Sequence, residues 1–518
     1  MTTKAFRGFL LCAVAGALLF RFVRLDIRPM HHDEANQAVK FGDLLERGEY
    51  RFDPLEHHGP SLYYLTLPAA RLTGADTLAG LDETVLRAVP ALFGAALLLL
   101  FLLLGGGLSR EAALAAAALA AVSPALTYYS RFYIQETLLV FFLAALVGAG
   151  WRYARTRSAW WALAAGAAAG LMAATKETSV LLFAGLLAAF GLVAALERIG
   201  GRHRRVLAEG DAWVWGDSRV KPPKPFHVGI FLLAAAAVAA LFYSSFFSHP
   251  EGLVDVVRAV GASFAKAAHP GVHAQPWDYY LRLLAWTGTA GGPLRSESFI
   301  LLLAAIGGIA AFGREAGRDG SPRFVRFVLF FTLVTAAVYS LIPYKTPWNV
   351  LPFYLGLVLL AGNGTALLLR AGRSGVIKFV VPALLAAGFL NLAFQAYRAD
   401  FVRHSDAGNP YAYAGTSPDL LRLIDAVERV AEAAPEHRAL LVKVVAPADE
   451  TWPLPWYLRG YGRVGYWTEP GPALAFTGAG EAAVVITSAG FSDEVGAALG
   501  EGYDQRFFGL RPEVPLCL

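Results

Sequence analysis

About eleven apolar runs, most of them close to the ~20 residues needed to cross roughly 30 Å of hydrocarbon, constrain this chain before anything else does. They lie near 6–25, 84–105, 111–129, 133–151, 159–175, 178–196, 226–247, 296–313, 324–342, 347–369 and 376–396. Such a chain is expected to be a polytopic α-helical membrane protein, and a composition of 56% hydrophobic and 16% charged residues agrees. The first run follows Lys4 and Arg7 as a signal peptide would. It continues into Arg21, Phe22 and Arg24 without a small-residue cleavage site, so it reads as an uncleaved anchor. Two cysteines, Cys12 and Cys517, cannot build a disulfide framework or a thiolate metal site. The net charge of +5 is not gathered in one block, and no nucleic-acid partner is expected.

Placing the N-terminus in the cytoplasm puts Arg110, Arg152, Arg155 and Arg157, Arg198 to Lys224, Arg314 to Arg326 and Arg370 to Lys378 on one side of a plasma (inner) membrane. That satisfies the positive-inside rule at every cytoplasmic turn. Three hydrophilic pieces then face outward: a first loop (26–83), a middle loop (248–295) and a tail. The expected organisation is a transmembrane domain over 1–397 and an extracytoplasmic domain over 398–518. In the tail, 417–434 reads as an amphipathic helix, 440–445, 463–467 and 483–487 as strands, and 493–499 as a further helix, which together predict a small α/β domain.

The first loop opens with Arg28-Pro29-Met30-His31-His32-Asp33-Glu34, an acid- and histidine-rich segment in an otherwise apolar chain. Apolar residues recur at helical spacing from Asp33 to Arg47, and a second, more apolar stretch runs from Gly59 to Thr73. Both read as helices lying in the membrane interface, the second being short and interrupted by Pro68.

The Pro before Asp33-Glu34, the helix ending at Arg47-Gly48-Glu49-Tyr50 and the segment Gly59-Pro60-Ser61-Leu62-Tyr63-Tyr64 resemble the first external loop of the C-type membrane glycosyltransferases. The likeness is to protein O-mannosyltransferases and the aminoarabinose transferase of lipid A. Ser130-Arg131-Phe132-Tyr133-Ile134-Gln135-Glu136 is similar to their second acidic motif, and Gly170 to Thr178, with Lys176, to their Leu-Thr-Lys segment. Tyr344-Lys345-Thr346-Pro347-Trp348-Asn349, Asn409-Pro410-Tyr411 and Trp452 to Tyr457 resemble a narrower family, described as flippase-activity-associated and glycosyltransferase-like.

The resemblance implies the C-type glycosyltransferase fold and transfer of a sugar from a polyprenyl-phosphate donor to a lipid, glycan or protein acceptor outside the membrane. Such a reaction needs a base for the acceptor, cations for the leaving phosphate and access from the lipid. Asp33 and Glu34 are the expected catalytic carboxylates, Asp33 the better placed by resemblance, although a helix N-terminus also attracts acids. Arg21, Arg131, Lys176 and Lys345 lie near outer ends of spans and are expected to meet the donor phosphate, the competing role being snorkelling or pairing with Glu136 and Glu177. Tyr63, Tyr64, Gln135, Glu136, Trp348 and Asn349 are expected at the substrate. His31, His32, His57 and His58 are of the types that hold a divalent metal ion, though their spacing matches no zinc pattern. Two other functions stay open: a transporter or flippase for the lipid-linked glycan, which would need polar residues deep in its spans, and a non-catalytic assembly partner or flippase-associated protein of a lipid-linked glycan pathway.

Overall fold

The computed structural model describes residues 2–56, 58–206, 222–269, 271–285, 297–313, 320–372, 375–475, 482–511 and 514–518. Among the described residues eight helices are long and apolar enough to cross a membrane, so this is a multi-pass membrane protein. Three of them start on side-chain caps: Thr2, Asp82 and Ser321 accept from the first free backbone N–H groups of α1 (Thr3–Phe22), α4 (Glu83–Leu100) and α14 (Pro322–Leu341).

Between α1 and α4 lie α2 (His32–Arg47) and α3 (Ser61–Thr73), the two helices expected in the first loop. After α4 come α5 (Arg110–Val122), α6 (Pro124–Ser130), α7 (Glu136–Thr156), α8 (Ala159–Ala173), α9 (Ser179–Val206) and α10 (Pro225–Tyr243). The middle loop carries α11 (Gly252–Ala268) and α12 (Tyr279–Ala285). Then follow α13 (Ser298–Ile309), α14, α15 (Leu351–Ala371) and α16 (Ile377–Tyr397).

Every one of the eleven apolar runs holds a helix, but length divides them. The fifteen residues of α8 rise only about 22 Å. The shorter apolar helices α8 and Ser298–Phe312 hold two of the eleven runs; among the described residues eight helices have the full length of a span, or nine with one broken span. That broken span is α5 with α6, bent by 59°. The break sits at Ser123-Pro124, where proline cannot donate, and the freed N–H of Ala125 is taken by Glu297 Oε1 at 2.9 Å. Ser123 donates to the same oxygen at 3.1 Å, and the Tyr354 hydroxyl donates to the other. A buried carboxylate from a distant segment thus satisfies the start of the second half-helix.

The bundle closes around α15, the most buried span. Gly307 of α13 and Gly364 of α15 face each other so closely that a Cβ on either would strike the opposite backbone, and Gly362 meets Ala112 of α5 in the same way. Small residues let backbones approach where lipid offers no hydrophobic drive for association. In contrast α16 is exposed along almost all its length.

Past α16 the chain enters a small α/β unit. It contains α17 (Asp419–Ala433), β1 (Leu441–Val445), α18 (Ala448–Thr451), α19 (Leu454–Tyr457), β2 (Arg463–Trp467), α20 (Pro470–Ala475), β3 (Val484–Ser488), α21 (Ser492–Leu499), β4 (Phe507–Arg511) and β5 (Val514–Cys517). The sheet order is β2-β1-β3-β5-β4, the first three strands parallel and the last two antiparallel. Leu420, Leu423, Ile424 and Val427 of α17 pack with Val442, Val444, Val484 and Ile486. Ala473 and Val495 pack with Leu441, Val445 and Val485. Both faces of β1 and β3 are therefore covered, which is why they read as near-continuous apolar runs.

Candidate active site around Asp33

The loop leaving α1 runs extended through Pro29 to His31, which caps α2: its Nδ1 accepts from the Asp33 N–H at 3.0 Å. Glu34 completes the capping box by accepting from the His31 N–H at 3.1 Å. The same carboxylate receives Nε and Nη2 of Arg87 at 2.8 Å each, Nη2 of Arg28 at 3.3 Å and the Tyr133 N–H at 2.9 Å. Burial pushes the Glu34 carboxyl upward, but Arg87 and then Arg28 outweigh it and hold it down to about 2. A carboxylate so fully engaged has no free lone pair for an acceptor, so the expectation of Glu34 as a catalytic acid is corrected. It is the strut that fixes the start of α2.

One residue earlier on the helix, Asp33 points elsewhere, with its side chain 41% exposed. Its charge acts on Lys40, His273, Tyr344 and Tyr413, which places these groups around it. Burial lowers Lys40 to about 8 and, with a further push from Asp33, raises Tyr344 to about 12. The segment from Pro343 to Lys345 pairs with His273 to Gln275, through Gln275 N to Pro343 O at 3.1 Å and Lys345 N to His273 O at 3.0 Å. The His273 ring lies 4.7 Å from that of Tyr344, and its Nδ1 is 2.9 Å from the Tyr413 hydroxyl.

The expected phosphate cations divide. Arg21 is fully buried and spends its guanidinium on Ser130 and on the carbonyls of Ala17, Ala120 and Ala121. Arg131 closes over the end of α1, donating to the carbonyls of Phe20, Arg21, Val23 and Arg24. Both are helix-end clasps, and the expectation that they meet a phosphate is corrected. Lys176 pairs with Glu136 and is buried. Lys345 donates to the Gln275 carbonyl at 3.1 Å and to that of Ile342. An ammonium has three protons, and these two carbonyls take two of them.

The substrate candidates divide too. Tyr63 is wholly buried against Tyr50 and Gln37, and Gln135 donates to Gln37 at 2.9 Å, so both serve packing rather than a ligand. Tyr64 stands edge-on to Phe242 and Phe246. Trp348 is set among His31, Phe132, Tyr129 and Tyr413, with Asn349 in the same turn. Among the described residues Glu136 Oε2 and Glu177 Oε1 are buried acceptors without a hydrogen-bond partner, and both carboxylates act on Lys176.

The histidines do not converge on an ion. His31 uses Nδ1 for its cap and Nε2 for the Tyr413 carbonyl, His32 packs against Trp452, and His58 pairs with Glu177 at 3.0 Å. His57 lies outside the described residues. Among the described residues no three His, Cys, Asp or Glu side chains gather as a metal site. Of the four histidines considered from the sequence, the three described ones therefore do not gather as ligands of a divalent ion.

Gly59 brings these pieces together: α3 abuts the end of α8, with Ser61 N donating to the Ala174 carbonyl at 2.9 Å. A Cβ at Gly59 would run into that carbonyl and come within 2.8 Å of the Thr175 carbonyl carbon. Gly59→Ala is expected to destabilise the protein by roughly 1–3 kcal/mol, read as a lower thermal midpoint in detergent. An unchanged midpoint would mean α3 can move without loss.

Sequence reading missed Arg87, Lys40 and Tyr413. An arginine inside an apolar span signals a buried acid partner, and Lys40 lies two helical turns from Asp33 on one face of α2. Tyr413 carries no local signal, since only the fold returns it to the first loop.

The fold, a bundle of spans followed by a small α/β unit, is shared with solved membrane proteins. The solved structure of ArnT from Cupriavidus metallidurans in the apo state matches over 99% of this chain and 98% of that one, with TM-score 0.58 and 16% identity. The apo oligosaccharyltransferase of Archaeoglobus fulgidus matches 91% of this chain and 65% of its own, with TM-score 0.55 and 14% identity. In sequence, residues 67–204 match the family model described as dolichyl-phosphate-mannose-protein mannosyltransferase. The undecaprenyl phosphate-alpha-4-amino-4-deoxy-L-arabinose arabinosyl transferase 1 of Pseudomonas fluorescens is 33% identical over 125 residues, 24% of this chain. The match spans only 20% of that curated relative's length.

Proposed function

We propose that the protein is an inverting glycosyltransferase that moves a sugar from a polyprenyl-phosphate donor to an acceptor hydroxyl or amine at the outer face of the plasma membrane. The observation that carries this is Asp33: a carboxylate 41% exposed at the head of α2 while its neighbour Glu34 is consumed by structure. Support comes from the ArnT structure solved with undecaprenyl phosphate, which matches 98% of this chain at TM-score 0.55 and 15% identity. In the reaction Asp33 accepts the acceptor's proton as its oxygen or nitrogen bonds to the anomeric carbon. The bond from that carbon to the phosphate oxygen breaks, and polyprenyl phosphate leaves with the electron pair. Lys345 meets the phosphate charge, Trp348 offers a face to the sugar, and the open oxygens of Glu136 and Glu177 accept from its hydroxyls.

The orientation follows from the basic turns, with the N-terminus in the cytoplasm and 398–518 outside as a separate domain. The test uses the purified protein in liposomes with undecaprenyl-phosphate-linked pentoses and hexoses and a total lipid extract as acceptor. Sugar transfer or free polyprenyl phosphate above protein-free vesicles is expected, and none with any donor would overturn the reading. Lys345→Met is expected to raise the donor KM by roughly ten- to a hundredfold, the worth of one charge-assisted hydrogen bond. An unchanged donor KM would remove Lys345 from the phosphate.

A further inference from the structure

The residues just before Asp33 are held by the segment that follows the last span. The Met30 N–H donates to the Tyr457 hydroxyl at 2.8 Å, and the Met30 carbonyl accepts from the Thr416 hydroxyl at 2.7 Å. Because His31 Nδ1 accepts from the Asp33 N–H, its Nε2 carries the proton and donates to the Tyr413 carbonyl at 3.1 Å. Met30 is wholly buried, and Thr416 and His31 nearly so. The far end of the same loop is gripped by the same short helix, α19 and its next turn. There Trp456 Nε1 donates to Glu83 at 2.7 Å, and Arg459, stacked 3.7 Å over the Trp456 ring, donates to the carbonyls of Leu78 and Leu81 at 3.2 and 2.6 Å. One turn of the α/β unit thus clamps both ends of the loop that carries Asp33.

We infer that Tyr457 and Thr416 are positioning residues for the Asp33 carboxylate, an inference that rests on the reading of Asp33 as the base. A base acts only within hydrogen-bond reach of the proton it takes, and a shift of about 1 Å costs roughly a hundredfold in rate. With both bonds to Met30 removed, the lead into α2 keeps His31 and the Arg87 bonds to the Arg28 and Pro29 carbonyls but loses its ties to the segment after the last span, and the carboxylate's register against Tyr344 loosens. Neither side chain touches the donor, so donor binding is untouched.

The experiment compares Tyr457→Phe/Thr416→Val, the two single variants and Thr416→Ser in the full chain, reconstituted with the same donors. The double variant is expected to lose roughly tenfold or more in kcat with donor KM within about twofold of wild type, each single variant less, and Thr416→Ser to keep near-full rate because it retains the donor. A wild-type kcat in the double variant overturns the inference, as does a loss confined to donor KM or a Thr416→Ser variant as slow as Thr416→Val. If the double variant does not fold, the single variants decide by the same split. Asp33→Asn assayed beside them separates the two readings: full activity there removes the base itself, whereas its loss beside an unaffected double variant removes only the clamp.

Discussion

Asp33→Asn is expected to lower the rate of sugar transfer by about 10²- to 10⁴-fold, the usual contribution of a positioned general base. The size follows from geometry that the substitution leaves intact. Asparagine is close in shape, the cap of α2 is made by the His31 ring, and Glu34 still locks the helix start. Loss of an acid from the first turn costs only about 0.3–1 kcal/mol of helix-dipole stabilisation, so the variant should fold and keep its donor KM. Turnover with a polyprenyl-phosphate donor and thermal unfolding, measured together, check this. A folded variant with undiminished kcat would exclude Asp33 as the base.

Glu34→Gln has the opposite signature. It is expected to destabilise the fold by roughly 3–5 kcal/mol, because it leaves the buried guanidiniums of Arg87 and Arg28 without their counter-charge. Acid titration supplies an independent readout. The Glu34 carboxyl titrates lower in the folded protein, at about 2, than its ordinary 4.5, so the stability it contributes is fully present above about 4.5. It is lost as the pH falls through that window toward 2. Thermal midpoints measured between pH 5 and 2 should therefore fall more steeply for the wild type than for Glu34→Gln. Parallel curves, or a variant as stable as the wild type at pH 7, would show that Arg87 finds other partners.

The fold class was legible because apolar runs are a one-dimensional signal. Each run holds a helix, and length, as in α8, sets the shorter ones apart. Strands β1 and β3 were legible for the same reason, being covered on both faces. The pair β4 and β5 escaped because neither strand is a buried, continuous apolar run. In the site, residue type pointed to the correct segments but could not allocate tasks within them. Asp33 and Glu34 are adjacent and chemically alike, and what separates them is Arg87, more than fifty residues away. Arg21 and Arg131 looked like phosphate ligands because a sequence does not display which backbone carbonyls stand bare at a helix end.

The clamp on Met30 also orders events in time. Its hydroxyl partner, Tyr457, lies 427 residues further along the chain, so the contact cannot form before that segment has been synthesised. A chain cut before Thr416 would lack every tie that Thr416, Trp456, Tyr457 and Arg459 make to the loop bearing Asp33.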